Sequence, residues 1–214
     1  MHLVSELDPE IVASLTGRAK RQIRARMRSL RQAHPEAVIA EKSERVVARL
    51  LELDVVRAAR SVALFAAMRE RREVDLLPLF EQLLTEGKKL YYPFMDPTET
   101  GFRTGFRSVT SPSDLAERGR RFAEPPASAP EARRGDLDVV IVPALAVAAS
   151  GHRIGYGAGY YDATLPDVAP PARVVVVAFD FQLLAELPYE AHDRAGDWVV
   201  TDKRSLEVGA ESSR

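Results

Sequence analysis

Apolar residues recur with a helical period over the first fifty positions. Ile11, Leu15, Ile23, Met27 and Leu30 fall roughly on one stripe between Pro9 and Ala33, and arginines fill the other face. Pro35 suits a first helical turn. A second helix runs from there to about Leu53, with Ile39, Val46, Leu50 and Leu53 inward. The pattern then changes. RSVALFAAM (60–68) is an apolar run of strand length. Asp75 is a good cap for the helix LLPLFEQLLTEG, and Gly87 stops it. KKLYYPFM (88–95) is the next strand. Strand, helix and strand in so short a span make a βαβ unit, which requires parallel pairing.

FRTGFRSV (102–109) reads as a half-polar strand, and residues 110–135, rich in Pro, Ser, Gly and charge, read as loop. LDVVIVPALAV (137–147) is continuously apolar, as expected of one central strand buried on both faces. ARVVVVAFD (172–180) is a second such strand and DWVVTD (197–202) a last, shorter one. From Lys203 the chain is polar and is expected to fray. The alternation predicts an α/β fold in a single domain over residues 1–205, with 206–214 as a disordered tail.

The 214 residues are 46% hydrophobic, enough for one well-buried domain. Cysteine is absent, which excludes disulfides and thiolate zinc sites and fits a reducing compartment. Residues 1–20 lack the pattern of a secretory signal, and no apolar run approaches the roughly 20 residues of a membrane span. The expectation is a soluble, cytoplasmic monomer. Lys+Arg is 30 and Asp+Glu is 31, for a formal charge of −1. Basic residues concentrate in RAKRQIRARMRSLR (18–31), which has no acidic residue. A nucleic-acid binder carries such a segment on a basic chain, usually with interleaved aromatics. Neither holds here, so small-molecule partners are expected, not nucleic acid.

The candidate chemistry centres on RIGYGAGYYD (153–162). Gly155, Gly157 and Gly159 can turn successive backbone N–H groups toward an anion, and a following helix N-terminus adds partial positive charge. Arg153 can add a bidentate phosphate contact. The G-x-G-x-G spacing is not the G-x-G-x-x-G of a dinucleotide fold, and no GK[ST] makes it a P-loop. The following helix must be short, because Pro166 arrives four residues after Asp162. A mobile surface loop is the bland reading. Likewise Tyr160 and Tyr161 can be packing aromatics and Asp162 a helix cap. Beside a phosphate cradle, Asp162 can instead hold Mg²⁺, with Asp193 a second candidate and His192 a loop residue.

These residues closely resemble the signature of the 5-formyltetrahydrofolate cyclo-ligase (methenyltetrahydrofolate synthetase) family, and the likeness extends over most of the chain. Lys20 and Arg24 resemble that family's K-x-x-x-R phosphate pair. REVDLLPL (72–79) resembles its E-[IV]-x-T segment, with Glu73 at the position of a folate-binding glutamate. GRRFAEPP (119–126), DVVIVPALAV (138–147) and FDFQLLAELPYEAHDRAGDWVVTD (179–202) resemble its G-x-x-E-P turn, its central strand and its Q…LP…HD…V-x-T ending.

The resemblance implies a Rossmann-like three-layer sandwich with a mainly parallel sheet and a helical N-terminus. It also implies conversion of 5-formyltetrahydrofolate to 5,10-methenyltetrahydrofolate, with ATP as co-substrate and Mg²⁺ as cofactor. Lys20, Arg24, Arg153, Gly155, Tyr156, Gly157, Ala158, Gly159 and Tyr160 would then meet ATP. Glu73, Met68, Phe94 and Tyr161 would meet the folate, Asp162 and Asp193 the metal, and Arg153, Tyr160 and Tyr161 the reacting groups. The remaining arginines of 18–31 read as a solvated face. Ala158 stands where many members carry Lys or Arg. Ala144, Val147, Ala148 and Ala163 also depart from common residues, so an ATP-binding relative with another substrate remains the alternative.

Overall fold

A computed structural model describes residues 8–117, 122–190 and 193–209. Two long helices open the chain, α1 (Pro9–Ala33) and α2 (Glu36–Glu52), followed by the short α3 (Asp54–Ala58). The βαβ unit consists of β1 (Ser61–Ala63), α4 (Leu77–Thr85) and β2 (Lys89–Thr98), with β1 and β2 parallel as expected. β3 (Gly101–Val109) returns antiparallel along β2. A two-residue pair, β4 (Ala116–Glu117) and β5 (Ala123–Glu124), lies within the segment expected to be loop. Next come β6 (Val139–Pro143), β7 (Ala146–Ala148), β8 (Arg153–Ile154), α5 (Tyr160–Val168) and β9 (Arg173–Val177). β10 (Leu183–Leu184), β11 (Trp198–Val200) and β12 (Ser205–Glu207) complete the fold.

The main sheet runs β12-β11-β9-β6-β1-β2-β3. Its five inner strands are parallel and its two edge strands antiparallel. Strand alternation assigns each side chain a layer. Val139 and Ile141 of β6 and Val175 and Val177 of β9 face α2 and α4, meeting Val46, Leu50, Leu79 and Phe80. Val140, Val142, Val174 and Val176 face the opposite side, where they meet Leu165 and Val168 of α5. The result is the three-layer α/β sandwich that the alternation and the resemblance imply. No helix among the described residues is long and apolar enough to cross a membrane.

Four expectations change. The first concerns α1, whose apolar stripe is only partly inward. Met27 is buried with Leu145, Ile154 and Leu187, whereas Ile11, Leu15 and Leu30 are exposed. The helix packs by its middle against a satellite sheet ordered β10-β7-β8.

The second is the run 137–147, which is two strands in two sheets. Ala144 makes the last bond to β9, through its N–H to the Val177 carbonyl at 3.2 Å, and Leu145 then donates to Ile154 of β8 at 2.8 Å. The fully buried Gln182 takes up the Leu145 carbonyl at 2.7 Å, so the break leaves that group bonded.

The third is the tail, where Ser205–Glu207 pair with β11 and Leu206 and Val208 pack on the core. Ordered chain thus extends past Lys203 and through Gly209, and the rest of the expected tail, 210–214, lies outside the described residues.

The fourth is Pro166, which sits inside α5 instead of ending it. So near the C-terminus it removes only one intrahelical N–H bond.

Candidate active site

Numbered among themselves in chain order, the five parallel strands are arranged 2-1-3-4-5. The connections leaving β1 and β6 therefore depart to opposite faces, and a crevice opens between them at the strand ends. A cleft of about 690 Å³ lies there, lined by Phe65 and Ala66 after β1 and by Pro143 and Ala144 at the end of β6. Its walls bring together Lys20, Arg24, Met68, Glu73, Arg153, the loop Gly155–Gly159, Tyr160, Tyr161, Asp162 and Asp193. Only Phe94, among the sequence-derived candidates, does not reach it.

Phe94 faces away because Pro93 and Met95, its neighbours on β2, are the residues that line the cleft. Its ring is buried against Gly105, under the guanidinium of Arg107 at 3.7 Å. It is a core residue of the β2–β3 hairpin.

The glycine loop joins β8 directly to α5, a strand–loop–helix unit that the sequence reading, which saw only the longer strand before it, did not resolve. Gly157 (φ 92°) and Gly159 (φ 68°) take left-handed conformations, and Gly159 caps α5 without a side-chain bond. The N–H groups of the first α5 turn have no intrahelical partner and are directed toward the loop. Arg24 fixes the loop from outside by donating Nε–H to the Gly155 carbonyl at 2.9 Å. A Cβ on Gly157 would stand 3.5 Å from that guanidinium.

Arg153 donates to the Arg194 carbonyl and to Asp162 Oδ1, both at 2.7 Å. Lys20 donates to Glu190 Oε2 at 2.7 Å and to Asp193 Oδ2 at 2.6 Å. Burial pulls the Lys20 ammonium down, but the bonds to Asp193 and Glu190 outweigh it and hold the group above its ordinary value. Burial pulls Arg153 below its ordinary value, against the charge of Asp162. Cations and carboxylates thus alternate along this end of the cleft. Among the described residues no three His, Cys, Asp or Glu side chains gather as a metal cluster. His192 and residues 119–121 of the G-x-x-E-P turn lie outside the described residues.

Aromatic rings pack around Tyr160 at the start of α5. Tyr160 donates its hydroxyl to the Gly105 carbonyl at 2.5 Å, and its ring packs edge-on against Phe106, Phe122 and Tyr161. Burial raises both tyrosines, so they stay protonated. Glu73 accepts the Met68 N–H at 2.9 Å through Oε2, while Oε1 is buried without a hydrogen-bond partner among the described residues. Burial raises Glu73 to about 7, against the Met68 bond and the charges of Arg31 and Arg71. A buried carboxylate on a residue that lines the cleft, with one oxygen lacking a hydrogen bond, suits a ligand that presents N–H donors.

A profile of the 5-formyltetrahydrofolate cyclo-ligase family matches residues 16–202. The chain belongs to the 5-formyltetrahydrofolate cyclo-ligase family. A cyclo-ligase from Mycolicibacterium smegmatis is 34% identical over 195 residues, covering 90% of this chain and 98% of that one. The Escherichia coli K12 cyclo-ligase is 31% identical over 169 residues, covering 78% and 91%. In structure the chain is similar to Aquifex aeolicus 5,10-methenyltetrahydrofolate synthetase, with a TM-score of 0.78, 31% identity, and coverage of 91% and 95%. The Mycoplasma pneumoniae synthetase, at 17% identity and a TM-score of 0.68, shares the fold. Membership makes this protein an enzyme of the ligase class.

Three cationic residues of the cyclo-ligase cleft are not marked by the sequence motifs: Arg28, Arg31 and Arg71. The signal for two of them is their spacing, since positions 20, 24, 28 and 31 share one helical face. Arg18, Arg21, Arg26 and Arg28 of the basic segment are exposed, and of these only Arg28 reaches the cleft.

Proposed function

We propose that this cyclo-ligase converts 5-formyltetrahydrofolate to 5,10-methenyltetrahydrofolate with ATP and Mg²⁺, releasing ADP and phosphate. The observation that carries the reading is the union of two unlike sets of residues in one cleft. A glycine loop with Lys20, Arg24 and Arg153 suits a triphosphate, and Glu73 beside Met68, Pro93 and Met95 suits a flat heterocycle with N–H donors.

In this reading the formyl oxygen attacks the γ-phosphorus and ADP leaves. N10 of the resulting N5-iminium phosphate closes onto the formyl carbon, and phosphate departs. Such transfer needs positioning and charge neutralisation. Arg153, Lys20, Arg24 and the N–H groups around Gly155, Gly157 and Gly159 supply both to the phosphates, with Tyr156 and Ala158 completing the loop wall. Glu73 accepts from the heterocycle, Met68 and Tyr161 pack on it, and Tyr160 holds the loop to β3. Asp162 and Asp193 fit Mg²⁺, because this ion takes one or two carboxylates and completes its shell with phosphate oxygens and water. When bound it offsets phosphate charge. We take the enzyme to act as a cytoplasmic monomer on small molecules alone.

The test mixes the protein, Mg-ATP and 5-formyltetrahydrofolate and follows methenyl absorbance in the near ultraviolet. Product is expected. ATP binding without product overturns the reading and points to a different small-molecule substrate.

A further inference from the structure

Six cationic side chains and three carboxylates line the cleft. The proposed function employs Lys20, Arg24 and Arg153 and leaves Arg28, Arg31 and Arg71 unassigned. Those three converge on one ring. Their guanidinium carbons lie 5.8, 5.5 and 4.7 Å from the centre of Tyr156. Arg28 and Arg31 extend the α1 face that carries Lys20 and Arg24, and Arg71 comes from the turn after β1.

Three cations so close repel, and their carboxylate partners are sparse. Glu73 Oε1 stands 4.0 Å from Arg31 and Glu70 3.7 Å from Arg71, while no carboxylate pairs with Arg28 among the described residues. Burial, then the charges of Arg71 and Arg28, pull Arg31 down to about 10, against the attraction of Glu73. The Arg31 side chain is 3% exposed, and its Nε is buried without a hydrogen-bond partner among the described residues, as is the Tyr156 hydroxyl. Buried polar groups that lack partners, on residues that line a cleft, match an oxyanion that accepts several N–H bonds.

We propose that Arg28, Arg31 and Arg71, gathered on the ring of Tyr156 at one side of the glycine loop, form a second oxyanion subsite that binds an anionic group of a substrate. It rests on the reading above for the source of that group: a tail carboxylate of the folate or a phosphate of the nucleotide. Cations supplied by α1 and the β1 turn would also explain how the loop functions with Ala158 in place of a lysine or arginine.

Arg28→Ala and Arg71→Ala, singly and together, test this, since neither residue is buried. Thermal melts confirm folding. Calorimetric titrations use ATP, tripolyphosphate, and 5-formyltetrahydrofolate carrying one or three glutamates. The double variant is expected to bind one class about tenfold or more weakly, consistent with loss of charge-assisted bonds. Turnover, where present, should place the loss in KM more than in kcat. Loss confined to ATP and tripolyphosphate assigns a phosphate. Loss confined to the folates, greater with three glutamates, assigns a carboxylate. Arg71→Lys should restore part of the affinity. All four probes within about twofold of wild type in the double variant, or no binding of any probe to wild type, overturns the subsite. Wild-type protein that binds these probes but makes no methenyl product overturns the proposed reaction alone.

Discussion

Glu73 is 4% exposed, and burial is what raises it to about 7. Its ionised form is the better acceptor for a heterocycle's N–H groups, and the ionised fraction grows as pH rises through 7. Folate kcat/KM is therefore expected to increase from pH 6 to pH 8 with an inflection near 7. Glu73→Gln should lower it and flatten the profile, which steady-state rates across that range would reveal. An unchanged inflection in Glu73→Gln would place the titration elsewhere. At this scale the motif residues, Phe94 apart, line one cleft. Phe94 was assigned to the wrong side because the alternation of β2 can be counted from the sequence, but which parity faces the cleft cannot.

The glycine loop works as an element. Gly157 holds φ 92°, which costs a residue with a Cβ about 1–2 kcal/mol. Gly157→Ala is expected to lower the melting temperature by a few degrees and weaken ATP binding about tenfold, as the loop shifts against Arg24. Gly155→Ala has open space and no left-handed φ, so its effect on melting should be smaller. Equal losses in the two variants would remove the conformational argument. At the other end of the chain, truncation after Arg204 deletes β12 with Leu206 and Val208. The loss of their burial, about 2–4 kcal/mol, should lower the melting temperature by roughly 5–10 °C. Truncation after Gly209 is expected to change it by no more than about 1 °C, and calorimetry separates the two.

Across the whole molecule, the site exists because the sheet reverses its winding between β1 and β6. α1, which belongs to neither layer of the sandwich, closes the crevice with its cationic face. Lys20 is paired with Asp193 and Arg153 with Asp162. Phosphates that take the cations would release the carboxylates toward Mg²⁺, so the two ligands should reinforce each other. Mg-ATP at a hundredfold excess over Kd is expected to add about 2.7 kcal/mol, or roughly 5–10 °C in melting temperature. ATP with a chelator should give less than half of that, and Mg²⁺ alone almost none. Equal shifts with and without chelator would detach Asp162 and Asp193 from metal binding.

The sequence by itself determined the α/β class, the βαβ unit and the family. These rest on local periodicity and on residue order, which the chain carries directly. Only the tertiary structure decided that 137–147 divides between two sheets, because Gln182 and Ile154 receive the backbone groups at the break from distant positions. It also decided that Arg28, Arg31 and Arg71 line the same cleft as Lys20 and Glu73. RIGYGAGYYD carries one arginine, and the cations around it come from α1, more than a hundred residues earlier, and from Arg71 in the turn after β1, which folding alone brings to it.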